Sequence, residues 1–187
     1  MNKLHILQER VSVSKLRLPA PDRSVLQQVF KAAVRAADHG MLRPWRFLTI
    51  EGDGLSALSQ VFVAAATKTN PDISPSVVEK SRNMPNRAPM IIVAIAKCQP
   101  QSKVPVQEQV IACGAAVQNM LNAFFALGFG AIWRTGDMAR NQHVNNELGL
   151  VEGEEIVGFV YVGTPVEPFA APPEIDVDTF FKPWPSE

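Results

Sequence analysis

The sequence has no surplus of charge: eighteen Lys and Arg stand against eighteen Asp and Glu in 187 residues. Without a net positive field nothing gathers phosphates at long range, which argues against a dedicated nucleic-acid or membrane-surface protein while leaving room for a local basic cluster. Cysteine is scarce as well. Cys98 and Cys113 are the two present, and neither has a second Cys or a His at metal-ligand spacing. Both read as small apolar core residues, and a reducing, cytoplasmic home is the expectation. The three histidines, His5, His39 and His143, are too dispersed to nominate a metal site. No G-x-S-x-G, Walker A or H-E-x-x-H pattern occurs, so no side chain is nominated as a catalytic nucleophile, acid or base.

Long unbroken apolar runs are missing too. The charge-free stretch 109–130 approaches membrane-spanning length but carries Gln109, Gln118, Asn119 and Asn122, so it reads as a buried helix and no membrane span is expected. The opening "MNKLHILQER" places Lys3, His5, Glu9 and Arg10 where a secretory peptide needs a continuous apolar core. Internal repeats and low-complexity tracts are absent. A single domain over 1–187 is expected, burying roughly 70% of its unfolded surface.

What is present is a succession of clear elements. Asp22 caps a helix over 22–37 whose Val25, Leu26, Val29, Phe30, Ala33 and Val34 share a stripe, with Arg35 and His39 at its end and Gly40 to close it. "RFLTIEG" reads as a strand, "GLSALSQVF" as a helix, and Ser74 with Pro75 as the start of another. "PMIIVAIA" is apolar without alternation, which predicts a central strand buried on both faces. A long helix over 106–127, a strand "GAIWR", a short helix over 142–148 and a strand "EIVGFVYVG" follow, before a proline-punctuated tail. This order suggests an α+β layer structure, and a tail with nothing of its own to pack on favours a homodimer.

"GDGLSA" (52–57) fits G-x-G-x-x-A after a strand, so a nucleotide-binding unit of a different fold class is one alternative. The next strand, however, begins near Met90 and ends in Lys97 rather than an acidic residue, which favours a simple strand-to-helix turn. Packing leaves unexplained a set of cationic and ring-bearing residues near element ends: Arg10 and Ser12, Arg35 and His39, Arg43 and Trp45, Trp133 and Arg134. Together they suit a phosphorylated planar heterocycle, because guanidinium forks clamp phosphate while flat side chains and backbone amides contact a ring.

"ERVSVSKL", "AAVRAADHGMLRPWRFLTIEG", "RAPMIIVAIAKC", "KVPVQEQ" and "GFGAIWRTG" followed by "IVGFVYVGTP" resemble, in order and over nearly the whole chain, the FMN-dependent nitroreductase family, in its minimal single-domain branch. The resemblance implies an α+β nitroreductase-like fold: a mixed central sheet flanked by helices, in a domain-exchanged homodimer whose tail, about 165–187, wraps the partner. It implies bound FMN, NADH or NADPH as co-substrate, and hydride transfer through the flavin N5 to a nitroaromatic, quinone or similar small acceptor. The family's Arg-Arg-Ser contacts fall on Arg10, Val11 and Ser12, further contacts on Arg35 and His39, and the strand facing the flavin on Ala131, Ile132 and Trp133. Gly130 is then expected to give close backbone approach and Trp133 a flat wall, with Arg134 a candidate to stabilise negative charge at the flavin N1. Catalytic side chains are not required, since the flavin performs the chemistry. Val11 departs from the pattern, because it removes one guanidinium from the phosphate end; Arg35, Lys15 and Arg134 are the candidates to replace it. Met41 and Arg43 likewise stand where relatives carry Asn and Gln. A non-catalytic FMN-binding or flavin-sequestering protein is the alternative.

Overall fold

The computed structural model describes residues 4–185; positions 1–3 and 186–187, which the one-domain reading included, lie outside the described residues. The chain runs α1 (His5–Glu9), β1 (Leu16–Arg17), α2 (Arg23–Ala33), β2 (Trp45–Glu51), α3 (Asp53–Thr69), α4 (Pro75–Asn83), β3 (Met90–Lys97), α5 (Val106–Ala126), β4 (Gly130–Arg134), α6 (Asp137–Arg140), α7 (Gln142–Glu147) and β5 (Glu154–Pro165). Short 3₁₀ turns lie at His39–Met41, Pro85–Arg87 and Val177–Thr179.

Strand β5 is the hub of a five-stranded sheet: it pairs with β3, β4 and, at its C-terminal end, β1, while β2 pairs with β3. Each of these pairings is antiparallel. The α+β class is as expected, and the strand order β1-β5-β3-β2 does not follow sequence order. The antiparallel register from Trp45↔Ala96 to Glu51↔Met90 also settles "GDGLSA". A dinucleotide unit needs parallel neighbours, so this stretch is a turn, with Gly52 at φ 53° leading into α3.

Period-2 geometry explains the unbroken apolar run of β3. Met90, Ile92, Ala94 and Ala96 face one core with Val29 and Ala33 of α2 and Cys113, Val117, Met120 and Phe124 of α5. Ile91, Val93 and Ile95 face a second core with Leu55, Leu58 and Phe62 of α3 and Val144 of α7. Both sets are apolar and buried, which fixes the register, since a slip of one residue would exchange them.

Helix α2 starts as its sequence demands: the Asp22 carboxylate accepts from Val25 N–H at 2.9 Å. It ends at Ala33, four residues before the expected boundary. The reason is a change of hydrogen-bond ring: Arg35 N–H donates to Ala32 and Ala36 N–H to Ala33, tightening the chain into i to i+3 turns. Arg35 and His39 therefore sit in the connection after the helix rather than in its last turns. Helix α5 carries eight buried residues, from Gln109 to Phe124. Among the described residues no helix is long and apolar enough to cross a membrane.

Candidate functional site

Two of the sequence-nominated groups meet at the edge of the sheet. Arg10 is the C-cap of α1, where its backbone turns extended (φ −62°, ψ 127°) and launches the strip 11–15. That strip lies along β4, tied by Val13 N–H donating to the Ala131 carbonyl at 3.0 Å. Arg10, Val11 and Ser12 line a cleft of about 730 Å³, closed on its other side by Pro173, Ile175 and Val177 of the tail. One guanidinium nitrogen of Arg10, Nη1, is buried without a hydrogen-bond partner among the described residues. A desolvated, unpaired cationic N–H is costly, and an anionic ligand is what would satisfy it. Lys15 points elsewhere: its ammonium pairs with Glu167 at 2.9 Å on the open surface, which takes it out of the set replacing the guanidinium that Val11 lacks.

Gly130 has a different employment from the one expected. A Cβ there would stand 2.7 Å from Leu16 Cδ2, 3.1 Å from Val13 Cβ and 3.2 Å from Pro165 Cγ. Its missing side chain makes room for the chain's own N-terminal strip, so the close approach at this glycine is to protein. The Trp133 indole is also held by protein. Its Nε1 donates to the Val157 carbonyl at 3.2 Å, and its ring packs over Gly114 of α5 against the first core. Gly158 has no side chain because the indole occupies that space.

Strand alternation sends Ile132 and Arg134 to the opposite face. There Arg134 lies 5.8 Å from the centroid of the Tyr161 ring and lines a cavity of about 420 Å³ with Lys80, Arg87, Asp137 and an aromatic floor of Phe62 and Phe159. The floor rings meet edge to face at 5.5 Å and 82°. Arg134 Nε is, like Arg10 Nη1, buried without a hydrogen-bond partner among the described residues. Burial pushes the Tyr161 phenol up, opposed by the nearby Arg87 and Arg134 charges, so it stays a neutral hydroxyl.

Arg35 and His39 line neither cleft. Arg35 borders a groove between α1 and α5 with Ile6, Leu7 and Asn119. His39 is exposed and bonds through Nδ1 to Glu108 Oε2 at 2.6 Å. Its loop is strained, with Gly40, Met41 and Arg43 all at positive φ (73°, 52° and 49°). The Asp38 carboxylate holds it by accepting from Arg43 N–H at 2.6 Å. Sustained positive φ at non-glycine residues marks a segment shaped for more than connection. Asp38, Lys80, Arg87 and Tyr161 were not legible as site residues. The available signals were an Asp preceding a turn and the lone tyrosine of the sequence inside an apolar strand.

Two guanidinium nitrogens, Arg10 Nη1 and Arg134 Nε, are buried without a hydrogen-bond partner among the described residues, which suits a ligand that carries negative charge. Among the described residues no group of three His, Cys, Asp or Glu could hold a metal ion.

Comparison with known proteins gives a consistent set of relatives. Residues 7–164 match the family described as "Nitroreductase family". Over 165 residues the chain is 42% identical to the protein named "Putative NAD(P)H nitroreductase YdjA" of Escherichia coli K12, covering 88% of this chain and 89% of that one. A Haemophilus influenzae protein named "Putative NAD(P)H nitroreductase" is 34% identical over 168 residues, with 89% and 90% coverage. Among solved structures, a nitroreductase-like family protein from Bacillus cereus superposes with a TM-score of 0.82 at 20% identity, covering 97% and 95% of the two chains. A nitroreductase from Desulfovibrio desulfuricans, solved in complex with FMN, gives 0.75 at 20% identity with 99% of each chain covered.

Proposed function

The chain belongs to the nitroreductase family of oxidoreductases, and from that premise we propose that it binds FMN and uses NADH or NADPH to reduce a nitroaromatic, quinone or similar small acceptor. The observation that carries the reading is the buried, unpartnered Nη1 of Arg10 beside Ser12, on a strip bonded directly to β4. Arg10 and the Ser12 hydroxyl would hold the phosphate, with the backbone of Val11 between them, and the strand Ala131, Ile132, Trp133 would lie along the ring system. When bound, FMN supplies the redox chemistry, accepting a hydride from the nicotinamide and passing two electrons and a proton to the acceptor. The chain's own part is positional and electrostatic. Trp133, locked between Gly114 and Gly158, keeps β4 rigid; Arg134 presents a cation that favours negative charge at the far end of the strand.

Arg35 and His39 enter this reading through a second copy of the chain, because within one copy they line neither the cleft at Arg10 nor the cavity at Arg134. The tail supports such a homodimer. Ile175, Val177, Phe180, Phe181 and Trp184 are 61%, 60%, 72%, 76% and 93% exposed, a density of open apolar surface that isolated chains avoid.

Purified protein loaded with FMN should lose its yellow colour when NADH or NADPH is added without oxygen. Arg10→Ala and Arg35→Ala should each retain FMN less well, by about 1.5–3 kcal/mol for a lost charged hydrogen bond, while His5→Ala should not. A flavin that stays oxidised under both nucleotides refutes the oxidoreductase reading and leaves a flavin carrier. Equal retention in all three variants refutes the phosphate site.

A further inference from the structure

The cavity beneath the C-terminal end of β4 is built to a different recipe from the cleft at Arg10. Its walls are apolar and aromatic, from Phe62, Phe159 and the Tyr161 ring, but its rim carries Lys80, Arg87 and Arg134 against a single carboxylate, Asp137. None of these three cations forms an ion pair among the described residues. In a chain of zero net charge, this is a local surplus of positive charge over an apolar hole. Arg134 Nε is in addition buried without a hydrogen-bond partner among the described residues. Three cations without an ion-pair partner around an aromatic floor form a local positive field that favours a bound anion. The floor asks for a flat ring, and about 420 Å³ suits a small one- or two-ring molecule rather than a whole dinucleotide.

We propose that this cavity selects the electron acceptor, and that the preferred class is an aromatic molecule bearing a carboxylate or similar anion. The ring packs on Phe62, Phe159 and Tyr161; the anion is taken by Arg134, Arg87 and Lys80. The cavity is well placed for this, since Arg134 enters it three residues along the same strand from Ala131, about 10 Å at strand rise. This assignment rests on the FMN-dependent reading for its role, but not for its binding chemistry.

The test compares 4-nitrobenzoate with 4-nitrobenzamide, which share ring and nitro group and differ in charge. Calorimetric binding to the FMN-loaded protein should favour the carboxylate, and kcat/KM with NAD(P)H should do the same, each on the order of ten- to a hundredfold as for one or two charged hydrogen bonds. Arg87→Gln and Lys80→Gln, both at exposed positions, should shrink the ratio. Arg87→Lys should keep most of it, and Asp137→Asn should enlarge it by removing the opposing charge. Added salt should narrow the gap. Equal binding of the two compounds overturns the proposal. So does a ratio that none of the four variants moves, or carboxylate binding that FMN competes away, since the cavity would then be part of the flavin's own seat. If NAD(P)H fails to reduce the flavin while calorimetry still shows the charge preference, the redox reading falls and the anion pocket stands.

Discussion

Replacing Gly158 by alanine tests the packing that holds the site strand in place. A Cβ at this position would fall on Trp133 Nε1, stand 2.5 Å from Trp133 Cδ1 and 2.9 Å from the Arg134 carbonyl. The indole is not a flexible side-chain tip that can swing aside: its far edge already packs over Gly114 on α5 and its N–H is committed to Val157. Alanine must therefore expel the ring or part β4 from β5. Overpacking of this kind costs about 1–3 kcal/mol, and the stranded indole N–H and Val157 carbonyl add roughly 1 kcal/mol. The sum, about 2–4 kcal/mol, corresponds to a shift of roughly 1–2 M in the urea midpoint if m is about 2 kcal/mol/M. Unfolding followed by far-ultraviolet circular dichroism measures it, and a double-mutant cycle isolates the cause. In a Trp133→Ala background, itself destabilised by about 3–5 kcal/mol, Gly158→Ala should cost little beyond the residual clash with the Arg134 carbonyl. An alanine variant as stable as the parent, or one equally damaging with and without the tryptophan, would refute the reasoning.

Two other expectations concern titration and reactivity. The Glu154 side chain is 4% exposed and takes two bonds from Arg46, at 2.8 and 2.7 Å, and one from Val151 N–H. The Arg46 hydrogen bonds hold its carboxyl below the usual range. A depressed folded value means that this pair's contribution is complete above the unfolded carboxylate pKa of about 4.3 and is lost as pH falls through the folded value. Urea midpoints measured from neutral to acid should fall less steeply in Glu154→Gln; identical slopes would contradict the assignment. Burial pushes the Cys113 thiol up to about 12, with Cys98 and Glu155 adding to it, so at neutral pH no thiolate forms there. A thiol reagent should reach Cys113 only after unfolding, and labelling in the native state at the rate of a free thiol would show that the helix-to-sheet core is open.

Much of the fold was legible because it is local. The two-faced burial of β3 follows from an apolar run without alternation. The Asp22 cap, the long α5 and the terminating glycines are likewise written in neighbouring residues. What failed locally had a tertiary cause. The end of α2 moved because the chain turns into the strained loop that Asp38 fastens. Gly130 looked like a ligand-facing glycine and proved to make room for Leu16 and Val13, because β1 is carried to that edge by pairing with the far end of β5. Nothing in the sequence singles out Lys80 and Arg87; α4 and the turn after it bring them to the cavity that Tyr161 lines.

The sequence alone therefore determined the longer helices and strands, which strand lies at the centre, and the family to which the chain is related, since periodicity, caps and ordered motifs are properties of neighbouring residues. The tertiary structure decided which cations share a cavity, which glycines serve protein rather than ligand, and that β2 and β3 run antiparallel. Those outcomes depend on register and crossover between segments tens of residues apart, where one residue of slip turns every side chain to the opposite face.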